Sequence, residues 1–375
     1  MSATSKKLEL QSNQIEMVLA NHRAPARVTG GVVTPRVVQF HLAPATGTRI
    51  NKMQALGDEL ALALGVNNVR VSRQGSNVQL EIPREDARPV KLLPLMARLA
   101  QHKQLPAAAA VLGLCEDGVP LLIRLPSPDV AHILISGTTG SGKTAVCQSI
   151  ILSLAMTHRR SQLQFVLAEG PKRSSPSLGG AFAPFRTLPH LLKPILGDPA
   201  EVAGALDDLV RLMEARGSGA NVSLVEPRIV VVLDELADLM LVAGKALSTP
   251  LTRLVQRGRA AGIHVIACTQ KPSSQVIGTL MRANFPVRLV GRVVSPEDAR
   301  VAAGIGGTGA EKLAGRGDFV AVAAGQVLRF QAAFVSAAEM DQVVAQMGSA
   351  PRRWDIIHGQ PSLLHQATSV LAGAS

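Results

Sequence analysis

Eight consecutive residues carry the densest chemistry in this chain. Gly137, Thr138, Thr139, Gly140, Ser141, Gly142, Lys143 and Thr144 spell G-x-x-x-x-G-K-T. They follow an apolar run rich in β-branched residues, Ala131 to Ile135, and precede an apolar-periodic segment, Ala145 to Met156. The spacing predicts a buried strand, a glycine loop and a helix. In that setting glycines let successive N–H groups turn inward onto phosphate oxygens, and the helix N-terminus adds partial positive charge. Lys143 can reach β- and γ-phosphates, and the Thr144 hydroxyl can ligate Mg²⁺. The reading is a nucleoside triphosphate site with ATP and Mg²⁺ as its ligands.

A second group of reactive residues ends another apolar run. Ile229 to Leu233 leads into Asp234 and Glu235. A buried parallel strand that delivers acids at its C-terminal edge places them where open α/β sheets bind ligands. Asp234 would hold Mg²⁺ directly or through water, and Glu235 would orient or deprotonate an attacking water. Asp234 could instead cap the helix that follows. A third apolar run, Ile263 to Thr269, ends in Thr269 and Gln270, polar groups that could meet γ-phosphate or the attacking water. A plain turn at the strand end is the other reading of that pair.

The elements that must position these groups follow from period and punctuation. Before residue 105 the pattern gives a helix from Glu9 to Ala20 and strands from Arg27 to Val33 and Arg36 to Leu42. A helix from Asn51 to Leu64 comes next, with strands from Val69 to Ser72 and Val78 to Ile82. We expect a small α+β domain over residues 1–105. Residues 106–348 then alternate strands and helices, which implies a mainly parallel sheet covered on both faces. They include a hairpin about Asp117-Gly118, helices from Glu201 to Arg216, Pro250 to Ala261 and Pro296 to Ala303, and strands from Val287 to Val294 and Asp318 to Ala323. Residues 349–375 read as a tail of weak periodicity, and no fixed-period repeat is evident.

Composition narrows the partner. The chain has 375 residues, net charge +12 and 47% hydrophobic residues, with no uninterrupted apolar run of membrane-spanning length. The first ten residues have no apolar core for a signal peptide. Cys115, Cys147 and Cys268 lack metal-ligand spacing, and the latter two sit in apolar runs, as reduced core cysteines do. The expected compartment is the cytoplasm. A basic surplus of this size favours a polyanion, nucleic acid first. With no Tyr, one Trp and eight Phe, the chain is poor in platforms for stacking single-stranded bases. Lys, Arg and amide groups suffice to track a duplex backbone.

Taken together, these stretches resemble the FtsK/SpoIIIE family of hexameric double-stranded DNA translocases. The matching motifs are GTTGSGKT at Gly137–Thr144, LPHLLKPILGDP at Leu188–Pro199, VVVLDELADLM at Val230–Met240, GRAAGIHVIACTQKP at Gly258–Pro272, RANFPVR at Arg282–Arg288 and LAGRGDFV at Leu313–Val320. Residues 9–105 also look like the α+β module that precedes the motor in these proteins. The resemblance implies a RecA-like P-loop ATPase that pumps duplex DNA through the pore of a homo-oligomeric, hexameric ring. It implies phosphate-loop roles for Lys143 and Thr144, metal and water roles for Asp234 and Glu235, and a sensor role for Gln270. It implies an arginine supplied in trans, for which Arg259 is the first candidate, ahead of Arg288 and Arg316. DNA contacts would come from Lys172, Arg173, Lys271 and Arg282. Three departures stand out: no membrane anchor is evident, the 27 residues after Gly348 are too few for a winged-helix module, and Glu169-Gly170-Pro171-Lys172 replaces the usual D-P-K. Similar ATPases also drive protein secretion, an alternative that the net charge and the preceding α+β module disfavour.

Overall fold

The computed structural model describes residues 3–33, 37–66, 69–74, 77–84, 89–170, 180–217, 226–270 and 283–349. The chain forms two compact units that divide between Pro89 and Val90.

The first unit contains α1 (Ala3–Asn21), β1 (Ala26–Val33), β2 (Val37–Pro44), α2 (Ile50–Ala55), α3 (Gly57–Leu64), β3 (Arg70–Gln74) and β4 (Asn77–Pro83). Its sheet is antiparallel throughout, in the order β1-β2-β4-β3. Ile15 and Leu19 of α1 and Leu60 of α3 join Phe40, Leu42, Leu80 and Ile82 of the sheet in one apolar core. The single helix expected from Asn51 to Leu64 is two helices broken at Leu56. At the break, a side chain on Gly57 would lie 3.2 Å from the Val69 carbonyl. The chain bends there and buries both Met53 and Leu60.

The second unit opens with β5 (Val90–Lys91) and α4 (Leu92–Gln101), then β6 (Ala109–Cys115), β7 (Pro120–Arg124), β8 (Ile133–Ser136) and α5 (Lys143–Thr157). It continues through β9 (Leu163–Ala168), α6 (Pro199–Gly217), β10 (Arg228–Leu233), α7 (Leu236–Ala243), α8 (Lys245–Arg257), β11 (Ile263–Thr269) and β12 (Val287–Val290). It ends with α9 (Pro296–Ala303), β13 (Asp318–Ala323), β14 (Gln326–Phe334) and α10 (Ala337–Ser349). Helix α4 contacts β6 and α5 and β5 pairs with β14, so both belong to this unit although they precede residue 105.

The sheet runs β7-β6-β14-β13-β12-β8-β11-β10-β9. From β12 to β9 the five strands are parallel. From β12 outward through β13, β14, β6 and β7 every pairing is antiparallel. Successive residues of β10 are buried on alternate faces of the sheet. Val230 and Val232 face the core under α5, α4 and α10, whereas Ile229, Val231 and Leu233 face the core under α6, α7 and α8. A parallel strand covered on both faces must be apolar at every position, which is why Ile229 to Leu233 reads as an unbroken run. Helix α8 starts at Lys245, five residues before the expected proline. Gly244 precedes it, and Pro250 lies buried inside the helix.

Candidate functional site

Strand β8 lies between β11 and β12, and β10 lies one strand further on. The residues after the C-terminal ends of β8, β10 and β11 therefore converge on one edge. They are the glycine loop, Asp234-Glu235 and Gln270, three segments that chain order keeps far apart.

The loop is built by conformations that only glycine adopts readily. Gly137 has φ 151° and Gly142 φ 105°, and a side chain on Gly142 would meet the Gly317 amide nitrogen at 2.8 Å. Helix α5 begins at Lys143. Lys143 is 7% exposed, and its ammonium donates to the carbonyls of Gly137, at 2.8 Å, and Thr138, at 3.3 Å. The loop's outward carbonyls are also occupied: Gly140 accepts from the Arg316 amide at 3.0 Å and Ser141 from the Gly317 amide at 2.8 Å. The amides of Gly142, Lys143 and Thr144 meet no acceptor among the described residues, as expected for the first turn of a helix. The Ser141 hydroxyl is buried and has no hydrogen-bond partner. Carbonyls turned out and amides left open make a cradle for an anion.

The acids face this cradle. Burial pushes the Asp234 carboxyl up to about 6, helped by the charges of Glu235 and Glu169 and opposed by Lys143. Glu235, not Asp234, occupies the N-cap position of α7, and it makes no side-chain capping bond, so the helix-cap reading of Asp234 is set aside. Glu235 holds a left-handed backbone, φ 50° and ψ 55°, a conformation that costs on the order of 1 kcal/mol outside glycine. Gln270 Nε2 donates to Glu235 Oε1 at 2.8 Å, and the Thr139 hydroxyl donates to Gln270 Oε1 at 3.3 Å. The three segments are thus joined through side chains.

Glu169 is the residue that sequence reasoning undervalued. It follows β9 beside Asp234, and its Oε1 accepts from the Phe182 amide at 2.8 Å. The rule that singled out Asp234, an acid at the C-terminal edge of a buried strand, applies to it equally. Among the described residues no group of three or more His, Cys, Asp and Glu could hold a metal ion. Asp234 with the Thr144 hydroxyl would suit Mg²⁺, which is commonly bound through one or two carboxylates, waters and substrate phosphate oxygens.

The remaining expectations fall elsewhere. Arg259 sits in a 3₁₀ turn, Gly258–Ala261, ahead of β11, at the sheet edge opposite the glycine loop. It lines a cavity of about 580 Å³ with His132, Arg257 and Asn284. Arg316, a lesser candidate for action in trans, adjoins its own chain's glycine loop instead. Lys172, Arg173, Lys271 and Arg282 lie outside the described residues. Cys147 and Cys268 are buried with their sulfurs 2.7 Å apart, between α5 and β11.

Comparisons with known proteins bear on the family and the fold. A family model described as "FtsK/SpoIIIE family" matches residues 100–222 and 217–274, and one described as "FtsK alpha domain" matches residues 1–84. The DNA translocase FtsK of Sporosarcina ureae is 32% identical over 365 residues, covering 90% of this chain and 45% of that protein. The DNA translocase SftA of Bacillus subtilis (strain 168) is 33% identical over 365 residues, covering 91% of this chain and 37% of that protein. The chain thus spans less than half the length of these curated relatives. The pCW3 conjugation coupling protein TcpA, solved as a monomer with ATPγS, superposes with a TM-score of 0.59 at 17% identity, covering 90% of this chain and 99% of that one. The fold is α/β, of the P-loop ATPase type. No helix among the described residues is long and apolar enough to cross a membrane.

Proposed function

The chain belongs to the FtsK/SpoIIIE family, and from that premise we propose that it is an ATP-driven motor that moves double-stranded DNA. The observation that carries the reading is the joining of glycine loop, Gln270 and Glu235 at one sheet edge. Such an arrangement puts a phosphate cradle, a base and an orienting amide within reach of one reacting phosphorus.

In this reading Lys143 leaves the loop carbonyls for the β- and γ-phosphate oxygens, and the open amides of the α5 N-terminus bind the rest. Asp234 and Thr144 would hold Mg²⁺, which would supply positive charge to neutralise the phosphates. Glu235 takes the proton of the water whose oxygen attacks the γ-phosphorus as the β,γ-bridging P–O bond breaks, leaving ADP and phosphate. Gln270 orients that water. Arg259 lies across the domain from its own glycine loop, so it would act on a neighbouring subunit's γ-phosphate, which requires a ring. Six subunits, a cytoplasmic location and the division into an α+β module, a motor and a tail form part of the same proposal. The substrate follows from charge +12 and from the names of the curated relatives, both DNA translocases. Those names weigh against the alternative of a polypeptide substrate.

The test is steady-state ATP turnover with no nucleic acid, with long duplex DNA and with single strands, at two salt concentrations. Stimulation by duplex alone, lost at high salt as phosphate contacts release counterions less favourably, is the expected result. Turnover indifferent to DNA would overturn the proposed substrate.

A further inference from the structure

Two adjacent threonines in the glycine loop face opposite ways. The Thr138 hydroxyl donates to the Arg292 carbonyl at 3.0 Å, on the β12 side. The Thr139 hydroxyl is solvent-exposed and donates to Gln270 Oε1 at 3.3 Å, on the β11 side. The direction of that bond follows from the acid beyond it. Glu235, as a carboxylate, only accepts, so the Gln270 amide must turn Nε2 toward it. Oε1 then faces Thr139, which must donate its one proton. The Gly170 backbone passes close to the root of the Glu235 side chain, where a side chain on Gly170 would lie 3.0 Å from the Glu235 Cβ.

Resting on the nucleotide-hydrolysis reading above, we propose that Thr139 is a positioning residue for hydrolysis that acts through Gln270. Its hydroxyl holds the Gln270 carbonyl oxygen and so fixes which way the amide faces. With Oε1 on Thr139, Nε2 stays on Glu235, and the second lone pair of Oε1 is left to accept from the attacking water. Without the hydroxyl the amide is free to turn, and the water loses its fixed partner.

The test is Thr139→Val, which keeps the shape and removes the donor, beside Thr139→Ser, which restores it. Both are measured in the full chain by ATP turnover with Mg²⁺ and duplex DNA and by direct ATP binding. We expect Thr139→Val to lower kcat about tenfold to a hundredfold, the scale of a misplaced reactant, with ATP affinity changed by less than about threefold. Thr139→Ser should return kcat to near the original value. In the Thr139→Val/Gln270→Ala pair the two losses should not multiply, because one acts through the other. A weakened affinity with unchanged kcat would make Thr139 a phosphate ligand only and overturn the proposal. Multiplying losses, or no rescue by serine, would overturn it too. If the unsubstituted chain turns over no ATP in any condition, the motor reading fails and this proposal falls with it.

Discussion

The glycine loop is flanked by two regions built on opposite principles. Toward β10 and β11 its links are exposed side-chain contacts, Thr139 to Gln270 and Gln270 to Glu235. Toward β12, β13 and β14 they are mainly backbone bonds, joined by the Thr138 hydroxyl on the Arg292 carbonyl. The Thr138 amide donates to Arg292 at 2.8 Å, those of Arg316 and Gly317 donate to the loop, and the Gly317 carbonyl accepts from Ala332 at 2.7 Å. Behind that strap stand charged groups held out of water. Arg329 makes two bonds of 2.9 Å to the buried Asp318 and one of 3.0 Å to Glu116, and Asp318 also accepts from the Ala314 amide. Water and ligands exchange exposed polar contacts at little cost. Breaking buried ones leaves unpaired groups worth about 1–3 kcal/mol each. The loop is held from the antiparallel side and read from the parallel side.

That contrast breaks most visibly at Glu235. Glu235→Gln should lower ATP turnover by about a hundredfold to ten-thousandfold, the scale of a lost general base, while ATP affinity and unfolding midpoint stay close to the original. The protein would then bind nucleotide without hydrolysing it. A large loss of stability in this variant would mean that the reading side is also structural, and the comparison would collapse.

Arg329→Met is the converse change. It leaves Asp318 buried without its cation, a loss of roughly 3 kcal/mol, read as a lower urea midpoint for the second unit. Turnover at saturating ATP, measured well below the melting range, should stay within a few-fold. Adding Asp318→Asn removes the stranded charge and should recover much of the stability, which separates a desolvation effect from lost packing. Turnover abolished in folded protein would place the antiparallel flank in the chemistry rather than behind it.

The reading side was legible because each of its parts lies within one short stretch. The glycine loop, the acids after Ile229 to Leu233 and the polar pair after Ile263 to Thr269 each join an apolar period to a reactive residue. The holding side was not legible, because its bonds join residues that no local pattern connects: Ser141 with Gly317, and Glu116 with Arg329. Main-chain donors carry no residue-type signal, so the strap left no mark beyond its glycines. The hairpin at Asp117-Gly118 was visible, but the attachment of β6 to β14 depends on a pairing more than two hundred residues apart. The helix break at Leu56 and the early start of α8 were likewise decided by tertiary contact. Gly57 has to clear the Val69 carbonyl, and Pro250 is buried in a helix already under way.

The smallest expected effect comes from the edge of the sheet opposite the loop, where neither principle operates and burial is the largest influence on the buried histidines. His132 Nδ1 accepts from the Val265 amide at 3.0 Å, and His264 donates from Nδ1 to the Ala131 carbonyl at 2.9 Å. Burial pushes both down, His132 to about 3 with help from His264 and Arg259, and His264 to about 4. Burial also lowers His158 and His190. Above pH 6.5 neither folded nor unfolded chain protonates these rings, and their contribution is intact. Below it the unfolded chain binds protons first, so stability falls by about 1.4 kcal/mol per pH unit per ring until the folded values are reached. His132→Asn places an amide oxygen where Nδ1 accepted and removes one titrating ring. Between pH 7 and pH 5.5 it should therefore lose about 1.4 kcal/mol less than the unsubstituted chain, read from urea midpoints. Equal losses would mean that His132 takes up its proton in the folded state, and that the edge opposite the loop is wetter than its burial implies.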